Sequence, residues 1–114
     1  MKKALTIWLT GLPCAGKTTL ANMLFRSLLA QGLTNVEVLD GDVVRTHLSK
    51  GLGFSRADRD TNILRIGWVC QVLTKHGVYS IVAAVSPFRA VRNEVRAMIE
   101  KAGGAGSFLE GWVR

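Results

Sequence analysis

Apolar positions fall into two kinds of run: short, nearly continuous blocks and longer segments in which they return every three or four residues. Leu5–Leu9 is a block of the first kind, bounded by Thr10 and Gly11, and its length and flanking glycine predict a buried strand. From Lys17 to Ala30, Leu20, Ala21, Leu24 and Leu28 return at helical spacing, and Gly32 supplies the stop. Val36–Leu39 predicts a second strand, running into Asp40, Gly41 and Asp42. Ser55 and Asp58 have capping-box spacing and open a segment whose apolar face holds Ile63, Leu64, Ile66, Val69, Cys70 and Leu73, ending near His76 and Gly77.

Val78–Val85 is almost wholly apolar, as expected of a strand covered on both faces, and Ser86 and Pro87 end it. Ala90–Ala102 predicts another helix, with Val91, Val95, Met98 and Ile99 on one side and Gly103 and Gly104 closing it. Phe108–Val113 predicts a fourth strand, weakened by Gly111. Strands and helices alternate, so the expected fold is α/β: a parallel sheet with helices on both faces, in one domain over residues 1–114. Trp8 and Trp68 lie in apolar periodic segments and are expected in the core; the pattern does not place Trp112.

Composition narrows the function more than the fold. With 48% apolar and 20% charged residues the chain reads as globular rather than disordered. No secretory leader or membrane span is legible, and two cysteines do not make a disulfide framework, so the expectation is a cytoplasmic, reduced protein without membrane partners. The net charge of +7 raises nucleic acid as a partner, but seven of the nine arginines are spaced singly between Arg45 and Arg96. Dispersed guanidinium groups suit a small, highly anionic ligand better than a polynucleotide, whose binding stripes cluster charge and interleave aromatics. His47 and His76 have no second ligand at metal spacing, so no structural metal is expected.

Gly11, Leu12, Pro13, Cys14, Ala15, Gly16, Lys17 and Thr18 fit G-x-x-x-x-G-K-[ST] at every fixed position, between a predicted strand and a predicted helix. Glycines let successive backbone N–H groups point at phosphates, and the following helix adds partial positive charge at its N-terminus. ATP is the expected ligand of this loop, with Thr19 continuing it; Lys17 is expected at the β and γ phosphates and Thr18 at Mg²⁺. Cys14 reads as a tolerated small residue in the loop.

A phosphate loop names the donor and leaves the acceptor open. Asp40 and Asp42 follow the second strand, at the carboxyl end of the predicted sheet where ligands bind. Alternate residues of an extended chain face the same way, so both carboxylates are expected to meet one Mg²⁺ and one substrate hydroxyl, either as general base. Arg45 follows Asp42 by three residues and Asn62 follows Arg59 by three, so each pair can share a helical face and clamp an anion.

These segments in order, TIWLTGLPCAGKTT at 6–19, LDGDVVR at 39–45, LGFSRADRDTN at 52–62 and AVSPFR at 84–89, resemble the successive signatures of the adenylyl-sulfate kinases, P-loop kinases of the sulfate-activation pathway. The resemblance implies ATP-dependent phosphorylation of the 3′-hydroxyl of adenosine 5′-phosphosulfate, giving 3′-phosphoadenylyl sulfate and ADP. It puts Asp42, Arg45, Arg59, Asn62, Val85 and Arg89 at the phosphosulfate substrate, with Phe54 stacked on adenine. Lys17, Asp40 and Asp42 become catalytic, and Ser86 matches a serine that the family describes as a phosphorylated intermediate. Direct in-line transfer needs no covalent step, so Ser86 is expected to contact substrate instead.

The resemblance further implies a lysine- and arginine-bearing lid and more strands after the fourth, which this sequence lacks. The expectation is a P-loop domain truncated at its C-terminus, with homodimerisation the other arrangement, and slow transfer where no lid excludes water. Two alternatives stand beside the kinase: a catalytically weak or inactive ATP-binding remnant, and a P-loop kinase for another small acceptor.

Overall fold

The computed structural model describes residues 4–11, 16–86 and 88–113. Eight elements follow one another: β1 (Thr6–Thr10), α1 (Lys17–Ala30), β2 (Val36–Asp40), α2 (Gly41–His47), α3 (Arg56–Lys75), β3 (Tyr79–Ala83), α4 (Arg89–Gly103) and β4 (Phe108–Trp112). The strands form one parallel sheet in the order β2-β3-β1-β4. The chain leaves β1 toward one edge and β3 toward the other, so the direction of winding reverses between these two central strands. In such a sheet the crevice at their carboxyl ends is the ligand position.

Side chains alternate across the sheet and build two cores. Trp8, Val82 and Phe108 face α3 and α4, where they meet Ile63, Ile66, Val95 and Ile99. Leu9, Ile81 and Ala83 face α1 and meet Ala21, with Leu20, Leu24 and Leu28 partly buried around them. Trp8 is wholly buried, its ring 6.0 Å from that of Phe108. Burying such a side chain stabilises the fold by about 1.5–3 kcal/mol. The α3–α4 contact is close because Gly67 has no side chain: a Cβ there would lie 2.7 Å from Val95 Cγ2.

Two sequence expectations are corrected. The extended chain expected through Asp42 stops at Asp40: Gly41–His47 is helix, with Asp42 and Arg45 both on it, because Asp40 acts as its N-cap and its Oδ1 accepts the Asp42 N–H at 2.9 Å. Trp68 is 59% exposed rather than in the core. The capping box at Ser55 is half realised: Ser55 Oγ accepts the Asp58 N–H at 3.1 Å, while the Asp58 carboxylate turns outward to the preceding loop. Among the described residues no helix is long and apolar enough to cross a membrane.

Candidate active site

A cleft of about 840 Å³ opens at the carboxyl ends of β2 and β3, over the first turn of α1. Gly16 enters α1 with φ +91°, a left-handed conformation that favours glycine, and leaves the first N–H groups of the helix without a side-chain cap. Backbone N–H groups at a helix N-terminus, together with the helix dipole, suit this end to anions. Residues 12–15 of the loop, Leu12, Pro13, Cys14 and Ala15, lie outside the described residues. At the start of the loop, Gly11 stands against the chain beyond β4, where a Cβ would lie 2.5 Å from the Val113 carbonyl oxygen.

Lys17 is buried, and its Nζ donates to the Gly11 carbonyl at 3.0 Å. Thr18 Oγ1 donates to Asp40 Oδ2 at 2.8 Å. Asp40 therefore has one oxygen on α2 and the other on the hydroxyl of the phosphate loop. Asp42 sits two residues further on, in the first turn of α2 and exposed at the cleft, and no hydrogen bond to its carboxylate occurs among the described residues. The two aspartates thus differ because one ends a strand and the other begins a helix, which the extended-chain reading could not separate.

Away from Lys17 the cleft is lined by Arg45, Phe54, Arg59, Asn62 and Val85. Asn62 is 5% exposed and its Oδ1 has no partner, an uncompensated polar atom at a cavity wall. Phe54 is 71% exposed, with the Arg45 guanidinium 4.5 Å from its ring centre. Arg45 also donates to the carbonyls of Leu52 and Gly53, at 3.4 and 3.2 Å, so this side chain braces the loop that carries Phe54. Gly41, Ala83 and Ala84 complete the wall, and sequence reasoning did not single them out. Their signal was size: a Cβ on Gly41 would come within 3.3 Å of the Ala83 carbonyl oxygen, so small residues let α2 start against the end of β3.

Two expected site residues lie apart from the cleft. Ser86 is 1% exposed; its Oγ accepts the Trp8 Nε1–H at 3.0 Å and donates to Thr10 Oγ1 at 2.8 Å. Below it, the buried Arg92 donates to the Ser86 carbonyl and to Glu110 Oε2, the latter at 3.2 Å. Ser86 thereby ties β1 to the segment after β3, with its hydroxyl engaged by Trp8 and Thr10. Arg89, at the start of α4, is exposed and does not line the cleft.

Comparison with known proteins agrees with this arrangement. A profile of the family described as adenylylsulphate kinase matches residues 3–114. Adenylyl-sulfate kinase of Synechococcus sp. (strain JA-3-3Ab) is 55% identical over 112 residues, which is 98% of this chain and 60% of that protein. The structure of the Mycobacterium tuberculosis APS kinase CysC in complex with AMPPNP and APS superposes with a TM-score of 0.90 at 36% identity, covering 100% of this chain and 64% of the other. A hexameric APS kinase from Thiobacillus denitrificans gives 0.87 at 47% identity over 97% of this chain and 22% of its own. The chain thus spans about 60% of the length of the Synechococcus relative, and with a family profile matched along nearly all of it, on a P-loop sheet whose cleft holds the motif residues together, it belongs to the adenylylsulphate kinase family.

Proposed function

We propose that this chain binds ATP on the Lys17 side of the cleft and transfers its γ-phosphoryl group to the 3′-hydroxyl of adenosine 5′-phosphosulfate, yielding ADP and 3′-phosphoadenylyl sulfate. The observation that carries the reading is that one cleft joins the donor residues Lys17, Thr18 and Asp40 to Asp42, Arg45, Phe54, Arg59 and Asn62. The Mycobacterium relative, whose structure holds AMPPNP and APS, supports the same pairing of ligands.

Thr18 Oγ1 and Asp40 Oδ2, hard oxygen donors 2.8 Å apart at the cleft, fit the oxygen coordination of Mg²⁺. Thr18 and Asp40 would hold the ion, which would supply neutralisation of the charge developing in the transfer. Lys17 swings from the Gly11 carbonyl to the β and γ phosphates, while the α1 N-terminus supplies backbone donors. Asp42, with its carboxylate uncommitted, accepts the proton of the attacking hydroxyl. Arg59 and Asn62 hold the anionic end of the acceptor and Phe54 offers a face for its adenine.

A cytoplasmic, reduced setting belongs to this reading, as does a homodimer, for which the hexameric Thiobacillus relative is the support. The test is incubation of the chain with Mg-ATP and adenosine 5′-phosphosulfate, following ADP and 3′-phosphoadenylyl sulfate by chromatography beside Lys17→Ala. Product absent from the variant supports the kinase. A folded chain that binds ATP and forms no product leaves an ATP-binding module; product from a different acceptor only would reassign the substrate.

A further inference from the structure

The loop between α2 and α3 carries Phe54 to the cleft, and three side chains from the flanking helices grip its backbone. Arg65 Nη1 donates to the Leu48 carbonyl at 3.1 Å. Arg45 Nη1 takes the Gly53 carbonyl at 3.2 Å, and Asp58 Oδ2 accepts the Gly53 N–H at 2.8 Å. Both polar groups of Gly53 are therefore held from opposite sides, by a cation on α2 and an anion on α3, one residue before Phe54. The approach is close: a Cβ on Gly53 would lie 3.1 Å from Asp58 Oδ2.

The geometry points to Asp58 as a positioning residue for the acceptor nucleotide, fixing Phe54 and Arg45 through the Gly53 peptide. An exposed aromatic ring next to glycine is a poor binding surface unless its backbone is fixed beforehand, since ordering it on binding costs affinity. Asp58 supplies that order without reaching the cleft wall itself. Its ordinary structural role, a favourable charge in the first turn of α3, is separate, because the cap is made by Ser55 Oγ to the Asp58 N–H.

The inference rests on the acceptor proposed above. The measurement is calorimetric titration of the whole chain with adenosine 5′-phosphosulfate and, separately, ATP, together with hydrogen exchange at the Gly53 amide. Asp58→Ala is expected to speed that exchange and weaken phosphosulfate binding about tenfold or more, leaving ATP affinity within about twofold. Asp58→Asn keeps an acceptor oxygen and is expected to restore most of both. Ser55→Ala, which removes only the cap, is expected to lower stability while sparing the acceptor affinity. Gly53→Ala reads the same contact from the loop side if Asp58→Ala does not fold, and should weaken the acceptor alone. Equal acceptor binding by folded Asp58→Ala, or parallel loss of ATP, would overturn the proposal by itself. A wild-type chain that binds ATP and not the phosphosulfate overturns it together with the reading it rests on.

Discussion

The hydroxyl of Thr18 and the carboxylate of Asp40 meet at 2.8 Å, joining the first turn of α1 to the end of β2. Asp40 is also the N-cap of α2, so the same carboxylate shapes the acceptor wall and faces the phosphate loop. Thr18→Ala is expected to lower Mg-ATP affinity about tenfold to a hundredfold by removing one oxygen ligand, with little change in the affinity for metal-free ATP. Titrations with and without Mg²⁺ measure this; equal losses in both would remove Thr18 from the metal site.

Lys17→Ala should reduce turnover by at least about a hundredfold, as loss of a donor aimed at developing charge does elsewhere. Single-turnover phosphoryl transfer is the measurement. Lys17 is buried against Gly11, so a thermal melt is needed beside it to show that the loop still folds.

Ser86→Ala removes the acceptor for the buried Trp8 Nε1–H. The expected cost is about 1–3 kcal/mol of stability, read by urea unfolding. Turnover should stay within about tenfold of the parent once the protein is folded, and no radiolabel from γ-³²P ATP should be recovered on Ser86. Label on Ser86 at catalytic rates would contradict its placement.

Gly67→Ala puts a methyl group into Val95 at the α3–α4 contact. Overpacking of this kind costs about 1–3 kcal/mol, so a lowered unfolding midpoint is expected with ATP affinity unchanged in the folded fraction.

Burial pushes the Cys70 thiol up from 9.0 to about 12, against a smaller opposing effect of hydrogen bonds with Ser80 and Thr6. The folded state therefore favours the neutral thiol. The stability this gives is fully present below pH 9.0 and is lost as pH rises toward about 12. In a Cys14→Ala background, a thiol reagent at neutral pH should leave the native chain unmodified and label Cys70 only on unfolding.

The helices and strands were legible where periodicity was strong. The predicted Lys17–Ala30 is the observed α1, and the Ser55 cap opens α3 at the expected place. The failure at the start of α2 came from carrying the extended chain of β2 on through Asp42; Asp40 as N-cap with Asp42 in the first turn was an equally available helix signal. Trp68 misled because its neighbours Ile66, Gly67 and Cys70 are all buried, yet one residue turns a helix by about 100°, which carries the indole off the core stripe. The site motifs were readable as types, and Phe54, Arg59 and Asn62 do share the cleft with Lys17. What stayed hidden was which polar groups the protein uses on itself: Ser86 on Trp8, Arg45 and Asp58 on Gly53.

Gly11 shows how little room the donor half has to adjust. The first glycine of a phosphate loop is usually explained by the turn it permits, but here its missing side chain also admits the Val113 carbonyl from the residue that follows β4. The Val113 N–H is in turn bonded to the Thr10 carbonyl at 2.9 Å. Any side chain at position 11 would clash with the Val113 carbonyl and force the end of the β1–β4 pairing to shift. On the proposed reading, one glycine thus serves both the edge of the sheet and the phosphate loop, so a substitution that harms the first harms the second.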